Sequence, residues 1–323
     1  MAGGAGEIGM DNRKSFKIYP RIDKIYTHKS SFNYDLLRAK VFRWRKETYW
    51  TNSMQWIAFV ILGLFMGFTA SIIVFIEDHL TEFKRDTAEK ILIAGSTEGI
   101  FTSWAFFTLF SMGLVFLAST MTVYYGPGAN GSGVAELIAI MNGINYPGVF
   151  SFAVYITKSL AVVGAVVGGL TVGKEGPMAH IGACIGCSVA YLPFKDFEFM
   201  RNDKNKRVLI AAGTSAGVSA AFGAPIGGTL FAYEMSKPNT FWDVKMLWRV
   251  FVCCACAVFS LAFFSTTWRV ITGGGGNILD MNSSSLKFGV VQVTAPTLKI
   301  IPACIIVGAL GGLLGAFFVI INN

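Results

Sequence analysis

Charge is what this sequence has least of. Asp, Glu, Lys and Arg make up 14% of its 323 residues against 53% apolar, where a soluble globular chain carries roughly 25% charged residues. So little charge cannot cover a water-facing surface, which excludes a soluble enzyme and a disordered binder. Histidine is equally scarce, with His28, His79 and His180 the whole set. No nucleophile–base pair or metal cluster falls in the apolar runs, so neither an intramembrane enzyme, nor a metal, nor a cofactor is expected. The cysteines at 184, 187, 253, 254 and 256 lie in apolar runs without histidine partners. They read as small buried hydrophobes rather than ligands or staples. No apolar stretch with a small-residue cleavage site follows Met1, so no cleavable signal peptide is expected. Gly168 to Lys174 spells most of a phosphate-binding loop, but Glu175 stands where magnesium needs a hydroxyl, which excludes nucleotide.

What the chain has in abundance is apolar length. Its mean hydropathy is +0.55, and apolar runs recur near 54–76, 103–125, 149–172, 178–194, 208–221, 225–235, 246–271 and 298–321. The first is long enough for a bilayer, which takes about 20 residues. Several others are short or broken by glycine, and broken helices at membrane depth occur where they line a cavity. The formal net charge of +8 sits in short polar segments between these runs, which fits membrane topology and not nucleic acid. The pattern predicts an all-α polytopic membrane protein.

Loop charge predicts its orientation. Residues 1–50 carry eleven Lys/Arg against five acids, the 77–98 connection has net −3, and 195–207 has net +2. The positive-inside bias puts the N-terminus, 195–207 and 236–249 in the cytoplasm, 77–98 outside or in a lumen, and 272–295 on that same side. Asn282-Ser283-Ser284 is a glycosylation sequon there.

From Trp104 to Phe194 only Glu136, Lys158, Lys174 and Glu175 are charged. Ionisable groups inside a membrane segment cost a few kcal/mol and mark function. The first break reads Gly131-Ser132-Gly133-Val134-Ala135-Glu136. A helix starting near Val134 aims unpaired N–H groups, worth about half an elementary charge, at whatever lies beside Ser132. The alternative is a plain loop with Ser132 as N-cap. The second break reads Gly173-Lys174-Glu175-Gly176-Pro177, again opening a helix, with a carboxylate at its mouth. Glu175 there can occupy the place of a small anion and so gate it; the alternative is a capping acid paired with Lys174. Lys158 either raises the potential for an anion or snorkels to an interface. Gly164/Gly168 and Gly223/Gly227 are spaced for close helix contact. Glu234 either carries protons or meets Lys237.

These motifs, with His180, Gly182 and the later Ala221-Phe222-Gly223-Ala224-Pro225-Ile226-Gly227-Gly228, resemble the signatures of the CLC chloride channel and transporter family. The resemblance runs from about residue 22 to the end. It is nearest the eukaryotic endosomal and lysosomal branch, through Asn202 to Arg207 and Tyr26 to Tyr34. It implies an inverted-repeat fold of tilted and re-entrant helices and a homodimer with one chloride path per subunit. It further implies a multi-pass protein of an endosomal, lysosomal or other intracellular membrane, with the plasma membrane as the alternative. The organisation it implies is a cytoplasmic segment 1–50, a first transmembrane repeat 51–271, and a loop plus the first helix of a second repeat, 272–323.

By the same resemblance Ser132 offers its hydroxyl to chloride, as in chloride-selective members. Backbone around Gly131, Gly133, Glu136 and Gly176 completes the anion site, with Lys158 nearby and Glu175 as the gating glutamate. Two departures bear on mechanism. Ala135 replaces the family's usual proline. Met235 stands where proton-coupled members carry an inner glutamate, directly after Glu234. Channel and chloride/proton exchanger both stay open. The chain also stops after what resembles the first helix of the second repeat, so the 323 residues alone are expected not to conduct; a truncated subunit that associates with a full-length partner is the alternative.

Overall fold

The computed structural model describes residues 49–94, 97–146, 148–193, 195–236, 242, 244–272 and 301–322. The N-terminal basic segment, Tyr26 to Tyr34, Lys237 and the sequon at Asn282 lie outside the described residues. Every regular element among the described residues is helical: α1 (Tyr49–Ala94), α2 (Thr97–Tyr124), α3 (Val134–Met141), α4 (Phe152–Val167), α5 (Glu175–Ala190), α6 (Asp203–Phe222), α7 (Pro225–Met235), α8 (Val244–Ile271) and α9 (Ile301–Asn322), with short 3₁₀ turns at Pro127–Ala129 and Lys195–Arg201. Four of them, α1, α2, α8 and α9, are long and apolar enough to cross a membrane.

The chain divides into two compact units, residues 1–286 and 287–323. In the second, α9 is 22 residues of almost wholly apolar helix. In the first, α5 packs along α6, α1 along α8, and α6 touches α7 and α8 as well. The core where they meet is built from Phe59, Leu62 and Met66 of α1, Met178 and Ile181 of α5, Leu209 of α6 and Val250 of α8. Cys253 and Cys254 are fully buried beside them. Outward, Phe101, Trp104, Phe107, Leu109, Met112 and Phe116 of α2 are exposed. A helix apolar around its whole girth belongs in lipid.

Two expectations change here. The acidic 77–98 connection is largely not a connection, because α1 continues as helix to Ala94. At about 1.5 Å per residue its 46 residues reach roughly 69 Å, over twice the hydrocarbon thickness. Its charged second half is held by packing that spacing does not reveal. Lys84 is buried, donates to the Val167 carbonyl at 2.9 Å, and sits 3.8 Å above the Phe107 ring. The second change concerns the glycine pairs. Gly164 and Gly168 do press against α2, at Leu114 and Val115. Gly223 instead ends α6, and Gly227 meets only the Ala224 methyl at its own helix start while Gly228 takes the close contact, against Ser215 and Ser219.

Candidate anion site

Helix starts in this fold fall into two kinds. Ser151 caps α4 by accepting from the Val154 N–H at 3.2 Å, and Asn202 caps α6 by accepting from the Asn205 N–H at 3.0 Å. Such caps are worth about 1 kcal/mol each. The starts of α3, α5 and α7 carry no side-chain cap, and those of α3 and α5 are the two beside one cavity. Their first N–H groups therefore have no intrahelical partner and keep their positive end of the helix dipole available. The N-cap of α3 is Gly133 and not Ser132.

These two starts come together. A methyl group added at Gly176, in the first turn of α5, would land on the Ser132 hydroxyl oxygen and near Val134. Only glycine at 176 lets the serine loop sit on the α5 start. One cavity of about 930 Å³ lies there, lined among others by Asn130, Gly131, Ser132, Lys158, Glu175 and Gly176. Gly133 is buried at its edge, and Glu136 occupies the first turn of α3 without lining the cavity. Thr122 and Ser119 of α2 add hydroxyl-bearing residues to the wall.

Lys158 does not snorkel. It is 2% exposed and donates to the Gly131 carbonyl at 3.0 Å. It also meets His180 Nδ1 at 2.8 Å, while His180 Nε2 lies 3.0 Å from the Val149 carbonyl. A carbonyl only accepts, so Nε2 carries the proton and Nδ1 accepts from the ammonium. The imidazole is thus neutral and oriented, and the lysine amine is held beside the cavity. His180 is the residue that sequence reasoning passed over, seeing it only within a motif. The available signal was a lone buried lysine one helix away, which needed a polar partner. His180 also fixes Gly133: this residue has φ +85°, and an added Cβ there would strike the imidazole. Both the backbone region and the neighbour exclude other residues.

Glu175 begins α5, half-buried, with its carboxylate folded back over Gly173. It does not pair with Lys174. That lysine turns away to Glu77 of α1, Nζ to Oε2 at 2.9 Å, with the Glu77 side chain 7% exposed. Among the described residues no ion pair of Glu175 occurs, and its carboxylate is left facing the cavity. The Glu77 pair thus keeps a cation from the neighbouring carboxylate. Glu77→Gln is expected to release Lys174 toward Glu175, at about the cost of a partly exposed ion pair. A structure of the variant checks this, and a Lys174 side chain that stays against residue 77 would contradict it. Glu234 sits exposed on the last turn of α7 and does not line this cavity, while Met235 packs against the core between α1, α5, α6 and α8.

With α3, α5 and their loops in place, the comparison with known families becomes decisive. The Voltage gated chloride channel family profile matches residues 114–323, which hold the starts of α3 and α5 and the cavity. This chain belongs to the CLC family. Among curated relatives of this CLC chain, H(+)/Cl(-) exchange transporter 7 of Mus musculus is 34% identical over 282 residues, covering 83% of this chain and 34% of the transporter. Chloride channel protein CLC-a of Arabidopsis thaliana is 30% identical over 313 residues, covering 90% of this chain and 38% of that protein. The CLC chain therefore spans about a third of the length of these relatives. A solved slow cyanobacterial Cl−/H+ antiporter shares the fold, with a TM-score of 0.60 at 23% identity over 82% of this chain and 55% of that one. The relatives carry the names of transporters and channels and not of enzymes.

Proposed function

We propose that this CLC chain supplies one half of a transmembrane chloride path, with Ser132 and the uncapped starts of α3 and α5 holding the anion and Glu175 as its gate. The observation that carries the proposal is the seating of the Ser132 hydroxyl on Gly176 in the wall that Glu175 shares. Chloride leaving water for hydrocarbon loses solvation on the order of tens of kcal/mol in a Born picture. Unpaired N–H groups, a hydroxyl and the Lys158 ammonium replace part of that shell with fixed dipoles and charge. The Glu175 carboxylate competes for the same positive region, so its protonation or displacement opens the path.

The cargo follows from the chemistry of the cavity, which suits a small monovalent anion, and from the relatives, which are named for chloride. A homodimer in an endosomal or lysosomal membrane, with its N-terminus in the cytoplasm, is the assembly in keeping with the resemblance and the loop charges. The whole polypeptide that contains this chain, reconstituted in chloride-loaded liposomes, tests the reading. Chloride efflux is expected, and Ser132→Pro, which removes the hydroxyl, is expected to lower its preference for chloride. Efflux indifferent to residue 132 and residue 175 alike would refute it. A pH electrode in the same assay assigns the mode: opposed proton movement means exchange, and chloride flux alone means a channel.

A further inference from the structure

A buried arginine closes the far end of α3. Arg207, in the second turn of α6, is 4% exposed. Its Nη1 donates to the Ile140 carbonyl and, at 3.5 Å, to that of Ile144; its Nη2 donates to the Gly143 carbonyl at 3.1 Å and to Asn145 Oδ1 at 2.5 Å. The last carbonyls of any helix lack intrahelical partners and carry its negative end. Here a full positive charge, out of reach of salt screening, sits on that end.

The length of α3 makes this matter for the other end. Its eight residues span about 12 Å. At that range the negative end of a short helix subtracts from the positive potential that its N-terminus offers beside Ser132. We propose that Arg207 is a positioning residue for the anion: it fixes the last turn of α3 through the Ile140 carbonyl and the turn that follows, and neutralises that end, so the opposite end faces the cavity with an uncancelled positive potential. The inference rests on the anion site proposed above. It ties the basic start of α6 to that site through a helix and not through contact.

A cap that serves only stability would leave anion affinity untouched in any variant that folds. Asn145→Asp separates the two roles. It keeps the acceptor oxygen and the shape next to the guanidinium, and adds a negative charge at the end of α3. Chloride binding to the purified chain, by isothermal titration calorimetry with thermal unfolding as the fold check, provides the readout. Asn145→Asp is expected to raise the chloride Kd about fivefold and Arg207→Gln about tenfold, the scale of a unit charge some 16 Å away at low effective dielectric. Arg207→Lys, which keeps the charge without the fork, is expected to stay within about twofold of the unmodified chain. A folded Asn145→Asp with unchanged Kd overturns the inference and leaves the site intact. Should that variant fail to fold, a tenfold loss in folded Arg207→Lys overturns it instead. An unmodified chain without saturable chloride binding removes the site itself, and the inference with it.

Discussion

Glu175→Gln is expected to abolish the pH dependence of chloride flux. The carboxylate sits at the start of α5, where an anionic side chain gains about 0.3–2 kcal/mol from the helix dipole. That corresponds to a factor of roughly two to thirty in its occupancy of the positive region. Among the described residues no ion pair claims the carboxylate: Lys174, its sequence neighbour, is committed to Glu77. A glutamine amide has the same size and no charge, so it neither competes with chloride for the N–H groups nor leaves when the medium is acidified. Efflux from liposomes measured at a series of pH values should vary by about tenfold for the unmodified protein and by less than about twofold for the variant. An identical pH profile in both would remove Glu175 from the gate.

Lys158→Met should show the largest loss of anion affinity. Two effects oppose one another in its stability. Removing the ammonium leaves the Gly131 carbonyl and His180 Nδ1 without their donor, at about 1–3 kcal/mol for each buried orphan. It also ends the cost of keeping a cation out of water, several kcal/mol. These nearly cancel, so the fold is expected to survive with a small change in Tm. Affinity has no such compensation. A unit charge about 6 Å from the anion at an effective dielectric near 20 contributes about 2.8 kcal/mol, or roughly a hundredfold in the chloride concentration that half-saturates flux. Half-saturation within about twofold of the unmodified protein would limit Lys158 to holding the Gly131 loop.

Much of the arrangement could be read from residue order, and what could not has a common cause. The break at 126–133 and the glycines around Glu175 announce interrupted helices, and α3 and α5 do start there, at Val134 and Glu175. The long apolar runs foretell α8 and α9 to within three residues, while α2 begins six residues ahead of its run. Charges were harder to place. Glu77 and Lys84 look like loop residues in a run of acids and bases, yet each is buried on α1 against a partner some eighty to a hundred positions away. Arg207 reads as one more positive-inside residue until its carbonyl partners on α3 and the turn after it are seen. His180 is one of three histidines, and its value lies in Lys158, on another helix. Periodicity and composition report which residues avoid water. They do not report which polar groups meet, because that depends on helices separated by long stretches of chain.

The account stands on an anion held between Ser132 and the start of α5, in the place that Glu175 can also take. Anomalous diffraction from crystals of the bromide-soaked protein tests this most directly. A bromide peak within hydrogen-bond reach of Ser132 Oγ is expected, stronger in Glu175→Gln and lost in Ser132→Pro. Bromide bound elsewhere, or a peak at that place indifferent to both substitutions, would contradict it.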